Sequence, residues 1–234
     1  MECTECYTVR YRFGVANGPK FDFSLEFDQE NFSLIMGDEE DRPDWTRLEY
    51  HQCDNCPFTP DETPRCPLAL SLVEVIEATT QLVSHERVTL EVTFPNRTVS
   101  MDTTAQDALR SLMGLIIPTS GCPHTAFFRP MARFHLPVST QDETLYRVTS
   151  MYMLAQYMRN LSGLDRETDF EGLTRIYSVI NVVNRNVTER LREVCTKDSS
   201  LNAVVLLDVF AQILPMQLED ILGEFEALFK PYTS

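Results

Sequence analysis

Basic side chains are scarce in this sequence, 20 against 35 acidic ones, which leaves a net charge of −15 over 234 residues. A surface of that sign repels phosphate backbones and anionic lipid at long range, so binding to nucleic acid or to a membrane surface is not expected. No apolar run reaches the ~20 residues needed to span a bilayer. The first residues, Met1-Glu2-Cys3-Thr4-Glu5-Cys6, lack the basic and apolar regions of a signal peptide, and a cytoplasmic location is the expectation. Low-complexity tracts and internal repeats are missing too. So is any run that matches a catalytic motif.

In a reducing compartment the seven cysteines are read as metal-binding or catalytic rather than as a disulfide framework. The glycosylation-like triplets that begin at Asn31, Asn96, Asn160 and Asn186 then carry no meaning.

The first third of the chain has the period of strands. In Phe21-Asp22-Phe23-Ser24-Leu25-Glu26-Phe27 every second residue is apolar, and Asn17-Gly18-Pro19 separates this run from Tyr7–Val15, which predicts a hairpin. Gly37-Asp38-Glu39-Glu40-Asp41-Arg42-Pro43 reads as a solvated acidic loop. From Asp44 to Cys66 prolines recur and no periodicity holds. Leu68, Leu72, Val75, Ile76 and Leu82 then give helical spacing after Pro67, a residue suited to a first helical turn. Strand patterns return at Val88–Phe94 and Thr98–Met101, and a helix follows from Thr104 to Pro118.

Beyond Pro137 the chain reads as helical. Thr140 with Glu143 forms a capping box, and further helices are expected over Leu173–Val194, Asn202–Leu214 and Leu218–Phe229. The fold class is therefore α+β, with a small sheet, two helices and a zinc-knuckle loop in residues 1–137 and a four-helix bundle in residues 138–234. Within the helical part, Met151-Tyr152-Met153 and Tyr157-Met158 read as core, and Arg185 is expected to pair with a buried Asp208.

The strongest chemical pattern is His51-x-Cys53-x2-Cys56-x9-Cys66, one imidazole and three thiolates. Four such protein ligands close a tetrahedron around zinc without water, the arrangement of a structural site. Cys66 precedes a helix whose N-terminal dipole favours a thiolate, and Asp54-Asn55 suits the tight turn of a knuckle. A rival set replaces His51 and Cys66 with Cys3 and Cys6.

A second group lies in Thr119–Pro137: Cys122, His124, Arg129, Arg133 and His135. Cys122 with His135 as base is a possible nucleophilic pair, and Arg129 with Arg133 a possible clamp for a carboxylate or phosphate. The bland alternative is an ordered linker. On balance the sequence predicts a zinc-stabilised module that contacts another protein without catalysis of its own. The alternative is an enzyme or small-anion sensor centred on the second group.

Asp44-Trp45-Thr46-Arg47-Leu48-Glu49-Tyr50-His51-Gln52-Cys53, Cys66-Pro67-Leu68, Thr119-Ser120-Gly121-Cys122-Pro123 and Arg133-Phe134-His135-Leu136-Pro137 resemble an uncharacterised bacterial family. The likeness extends over nearly the whole chain, Asn202-Ala203 and the helical half included. It implies a bacterial cytosolic protein and assigns no reaction.

Overall fold

Alternating side chains build the sheet. In β1 (Tyr7–Val15) Val9, Tyr11 and Phe13 are buried while Arg10 and Arg12 face solvent, and β2 (Lys20–Phe27) buries Phe23, Leu25 and Phe27. The two strands form the expected antiparallel hairpin, closed where Gly18 N–H donates to the Val15 carbonyl at 2.9 Å. β3 (Arg87–Phe94) pairs with the other edge of β1, and β4 (Arg97–Thr104) pairs with β3, giving an antiparallel sheet of order β2-β1-β3-β4. Tyr11 thus sits centrally, opposite Phe23 on one side and Val92 on the other.

One face of this sheet is covered by α1 (Pro67–Ala78) and α2 (Ala105–Ile116). Leu68, Leu72 and Ile76 of α1 and Leu109, Leu112 and Ile116 of α2 join the strand side chains in the main core. Each large apolar side chain so buried contributes ~1.5–3 kcal/mol. Cys66 is the N-cap of α1 and Pro67 its first residue. Thr104 caps α2 by accepting from the Asp107 N–H, and Pro118 stands in the 3-10 turn Ile117–Thr119 that follows.

The structure, a computed structural model, describes residues 6–16, 18–37, 42–80, 82–194, 204–205, 223 and 225–233. Asp44–Cys66 is a loop as expected, but an ordered one. Leu48 N–H donates to Pro64 O at 2.9 Å, Cys66 N–H to Thr46 O at 2.8 Å, and Trp45 and Leu48 are buried.

The segment from Thr119 to Pro137, expected to be irregular, contains a short helix, α3 (Arg129–Arg133), with Pro130 in its first turn. Proline lacks only an N–H that a first turn leaves free anyway, so it starts this helix rather than preventing it.

Both bonds of the Thr140–Glu143 capping box are formed at the start of α4 (Gln141–Leu161), and α5 (Glu171–Val194) follows. Of the expected helix Asn202–Leu214 only Val204 and Val205 are described, both helical, and the helix Glu226–Thr233 includes the end of the fourth. Asp208 lies outside the described residues. Arg185 pairs with the exposed Asp54 at 3.6 Å. The methionine stripe of α4 is only in part core: Tyr152 is 5% exposed, but Met153 is 38%, Tyr157 54% and Met158 57% exposed.

α5 divides between two clusters. Its first turns (Leu173, Tyr177, Ile180) pack with Leu145, Val148 and Tyr152 of α4, while Val183, Val187 and Leu191 enter the core beneath the sheet. No helix among the described residues is long and apolar enough to cross a membrane.

Candidate metal centre and adjoining cleft

Cys53 and Cys56 flank a tight turn over Asp54-Asn55, in which the Cys56 N–H donates to Cys53 O at 2.9 Å. The N-cap position of Cys66 and the partial burial of Cys53 and Cys66 against the main core bring the start of α1 to the same place. A third segment arrives from the end of α2. Gly121, at φ +93°, turns this loop so closely that an added Cβ would stand 3.5 Å from Pro67. The N–H and hydroxyl of Thr125 then donate to the Cys122 carbonyl at 3.3 and 3.2 Å. His124 Nε2 bonds Asn55 O at 2.7 Å, tying this loop to the knuckle turn.

Cys53, Cys56, Cys66 and Cys122 therefore line one cavity of about 20 Å³, walled on its far side by Val183, Val187 and Arg190 of α5. That is room for one occupant the size of a water molecule. All four are free thiols. Among the described residues, no three His, Cys, Asp or Glu side chains stand in a group that would hold a metal ion as placed.

Burial, and after it the neighbouring thiols of Cys66, Cys122 and Cys56, pushes the Cys53 thiol up to about 12. Burial raises Cys122 as well. Arg190 is 3% exposed and donates to the carbonyls of Trp45, Arg47 and Leu48 at 2.7, 2.8 and 2.9 Å. Its hydrogen bonds are satisfied, but among the described residues no carboxylate forms an ion pair with it.

His51 does not line this cavity. Its backbone is left-handed at φ +48°, its Nε2 bonds Glu193 Oε1 at 2.8 Å, and its ring meets Tyr50 edge-on at 5.0 Å. Tyr50 donates to the same carboxylate, which the two bonds hold below its usual range. Of the rival pair, Cys3 lies outside the described residues and Cys6 is disulfide-bonded.

On the other side of the 117–125 loop opens a mostly apolar cleft of about 470 Å³. Ile117, Phe128, Met131, Val138 and Ile180 furnish its apolar walls, and Arg110, Ser111, His135, Arg147 and Asn184 its polar points. At its base runs a chain of hydrogen bonds: Val138 N–H to Ser111 Oγ at 3.0 Å, Ser111 Oγ with the Tyr11 hydroxyl at 2.9 Å, and that hydroxyl with His135 Nε2. Burial, reinforced by Arg147 and Arg97, depresses His135 to about 3, so its ring is neutral at physiological pH. A neutral Nε2 accepts from Tyr11, whose own ionisation is suppressed by burial. Arg147 donates to the carbonyls of Met131 and Phe134 at 2.7 and 2.9 Å. Arg110 lies 3.4 Å from Asp107, and its buried Nε has no partner.

The second sequence group is thus dispersed. Cys122 and His124 line the small cavity and His135 the cleft. Arg129 donates to Asn31 O at 3.3 Å, and Arg133 stacks 4.2 Å from the Tyr7 ring centre. The cleft residues that the sequence did not single out, Arg110, Ser111 and Arg147, sit on helices whose polar positions read as ordinary surface. Ser111 alone left a trace, as a hydroxyl beside Leu112 on an apolar face.

Residues 9–230 match the model of a family described as Domain of unknown function (DUF6901), and the chain belongs to that family. Neither the curated proteins nor the solved structures hold a match to it.

Proposed function

We propose that this chain is a metal-stapled binding module without catalysis of its own, and that its cleft takes a small amphipathic molecule with an acidic head. The carrying observation is the lining of the cleft. In a protein of net charge −15, its ionised side chains are Arg110 and Arg147 against Asp107 alone, set among apolar walls. A cleft of about 470 Å³ is of the size that holds small ligands, and the unpartnered Arg110 Nε offers a charge-assisted bond to a carboxylate or phosphate.

The absence of catalysis rests on protonation. A general base is most effective with a pKa near the operating pH, and His135 at about 3 is far below it. A nucleophilic cysteine needs a depressed pKa, and burial moves Cys122 the other way. In this reading the protein works in the cytoplasm, and the free thiols of Cys53, Cys56, Cys66 and Cys122 are the ones available to zinc.

Thermal unfolding with octanoate, octyl phosphate and octanol at equal concentrations tests the cleft. The two acids should raise Tm and octanol should not, and Arg110→Met should remove the difference. Equal shifts from all three, or none, would refute the acidic-head reading. The comparison of octanoate with octyl phosphate identifies the head group.

The exposed stripe Met153, Leu154, Tyr157, Met158 and Leu161 on α4 favours a second reading, contact of the helical half with another protein. A chain that stays monomeric and captures no partner from its native cytosol would count against it.

A further inference from the structure

We infer that Cys53, Cys56, Cys66 and Cys122 form a four-thiolate zinc centre, with Cys122 in the place that sequence spacing gives to His51. The inference rests on the metal-stapled part of the reading above and supplies its ligands.

Three observations carry it. The four cysteines come from three separate segments, the Cys53–Cys56 turn, the cap of α1 and the loop after α2, and they converge on one cavity of about 20 Å³. The structure ties two of those segments together by means other than the thiols, through the bond of His124 to Asn55 O. Zinc takes four thiolates in a closed tetrahedron, and these four cysteines already line one cavity though they come from distant stretches of chain.

The second observation is the turn that holds Cys122: its N–H donates to Ser120 Oγ at 3.3 Å, and the N–H and hydroxyl of Thr125 donate to its carbonyl at 3.3 and 3.2 Å. Those bonds fix the backbone of Cys122 and leave its sulfur to the cavity it lines.

The third is Arg190. A buried cation without an opposite charge is costly, and its carbonyl partners supply only dipoles. Zinc with four thiolates carries two net negative charges, and Arg190 lines the same cavity as the four cysteines. The guanidinium offsets one of those two charges. With one imidazole and three thiolates the centre would carry a single negative charge, which Arg190 would also balance; position separates the two sets, since His51 would have to leave Glu193 to reach the cavity.

As placed, the thiols are not yet gathered at coordination distance. Zinc would draw the sulfur atoms inward by rotation about χ1 and release their protons on binding.

X-ray absorption at the zinc edge, on full-length protein purified without chelators, tests the inference on the wild-type chain. The expected first shell is four sulfurs at about 2.3 Å, with about one zinc per chain. His51→Gln should keep the zinc and Cys122→Ser should lose it. A shell with one nitrogen at about 2.0–2.1 Å, together with loss of zinc in His51→Gln, would overturn the inference in favour of the His51 set. Protein that holds no zinc as purified and takes up none when zinc is added would overturn it outright. Because the absorption shell is read on wild type, a Cys122→Ser chain that fails to fold leaves the answer intact. Octanoate binding on the same preparation is read separately, so failure of the cleft and failure of the zinc centre are distinguishable.

Discussion

His124 Nε2 meets the carbonyl oxygen of Asn55 at 2.7 Å, and so joins the loop of Cys122 to the turn of Cys53 and Cys56. The two residues lie 69 positions apart in sequence. This bond holds the fourth sulfur near the other three whether or not a metal is present.

His124→Ala should therefore lower stability by about 1 kcal/mol, the worth of one hydrogen bond. It should also speed alkylation of Cys122 in chelator-treated protein. Mass-spectrometric labelling against time measures this, and an unchanged rate would mean that the loop is held by other contacts.

Arg190→Met removes three hydrogen bonds and the buried charge at once, and should destabilise the metal-free chain by about 3 kcal/mol or more. With zinc present the loss should be larger, because the anionic centre also loses its counter-charge. Urea unfolding with and without zinc compares the two. Equal losses in both conditions would show that Arg190 serves the carbonyls alone.

The neutral state of His135 sets a pH dependence. Its folded pKa, about 3, lies below the ordinary 6.5, so between those values the unfolded chain binds a proton that the folded chain does not. The contribution is complete above pH 6.5 and is lost as pH falls, at up to ~1.4 kcal/mol per pH unit. Glu193 and Glu167, held below their usual range, lose stability in the same direction. The difference between wild type and His135→Gln isolates the histidine. Urea midpoints from pH 7 to pH 4 should fall more steeply in wild type, and parallel curves would contradict a buried neutral ring.

Arg110→Met should weaken octanoate binding about tenfold, equal to 1.4 kcal/mol, and leave stability nearly unchanged, since Arg110 pairs only at 3.4 Å with a neighbour on its own helix. Isothermal titration reads the first quantity and urea unfolding the second. Retained affinity would move the acid-binding role to Arg147.

Gly121→Ala should cost about 1–2 kcal/mol through its left-handed φ of +93°. Calorimetric Tm gives the measurement.

Much of the fold was legible in the sequence because its signals are local. The alternation of Phe23, Leu25 and Phe27 is the pleat itself, and Thr140 with Glu143 is a capping box at any helix start. Cys53, Cys56 and Cys66 could be grouped by spacing because one loop carries them. Cys122 could not, since its place depends on how the end of α2 packs against the start of α1. His51 stands two residues from Cys53 in the sequence, and a left-handed backbone at φ +48° sets its ring against Glu193 of α5. Arg110 and Arg147 escaped notice because arginine on a helix is ordinarily a solvated residue. The α4 stripe misled in the opposite sense, as methionine and tyrosine at helical spacing signal a core that Met153, Tyr157 and Met158 do not enter.

Tyr177, Ile180 and Asn184 of α5 face the cleft, while Val183, Val187 and Arg190 of the same helix face the cysteine cavity. Asn184 and Arg190 are about 9 Å apart along the axis at the helical rise per residue. One rod is the partition between two chambers, so any tilt that admits a guest on one side reshapes the other. Thermodynamic linkage then works both ways: if zinc tightens the guest tenfold, the guest must tighten zinc tenfold. Titration of the guest at fixed metal, and of metal at fixed guest, would have to return the same factor.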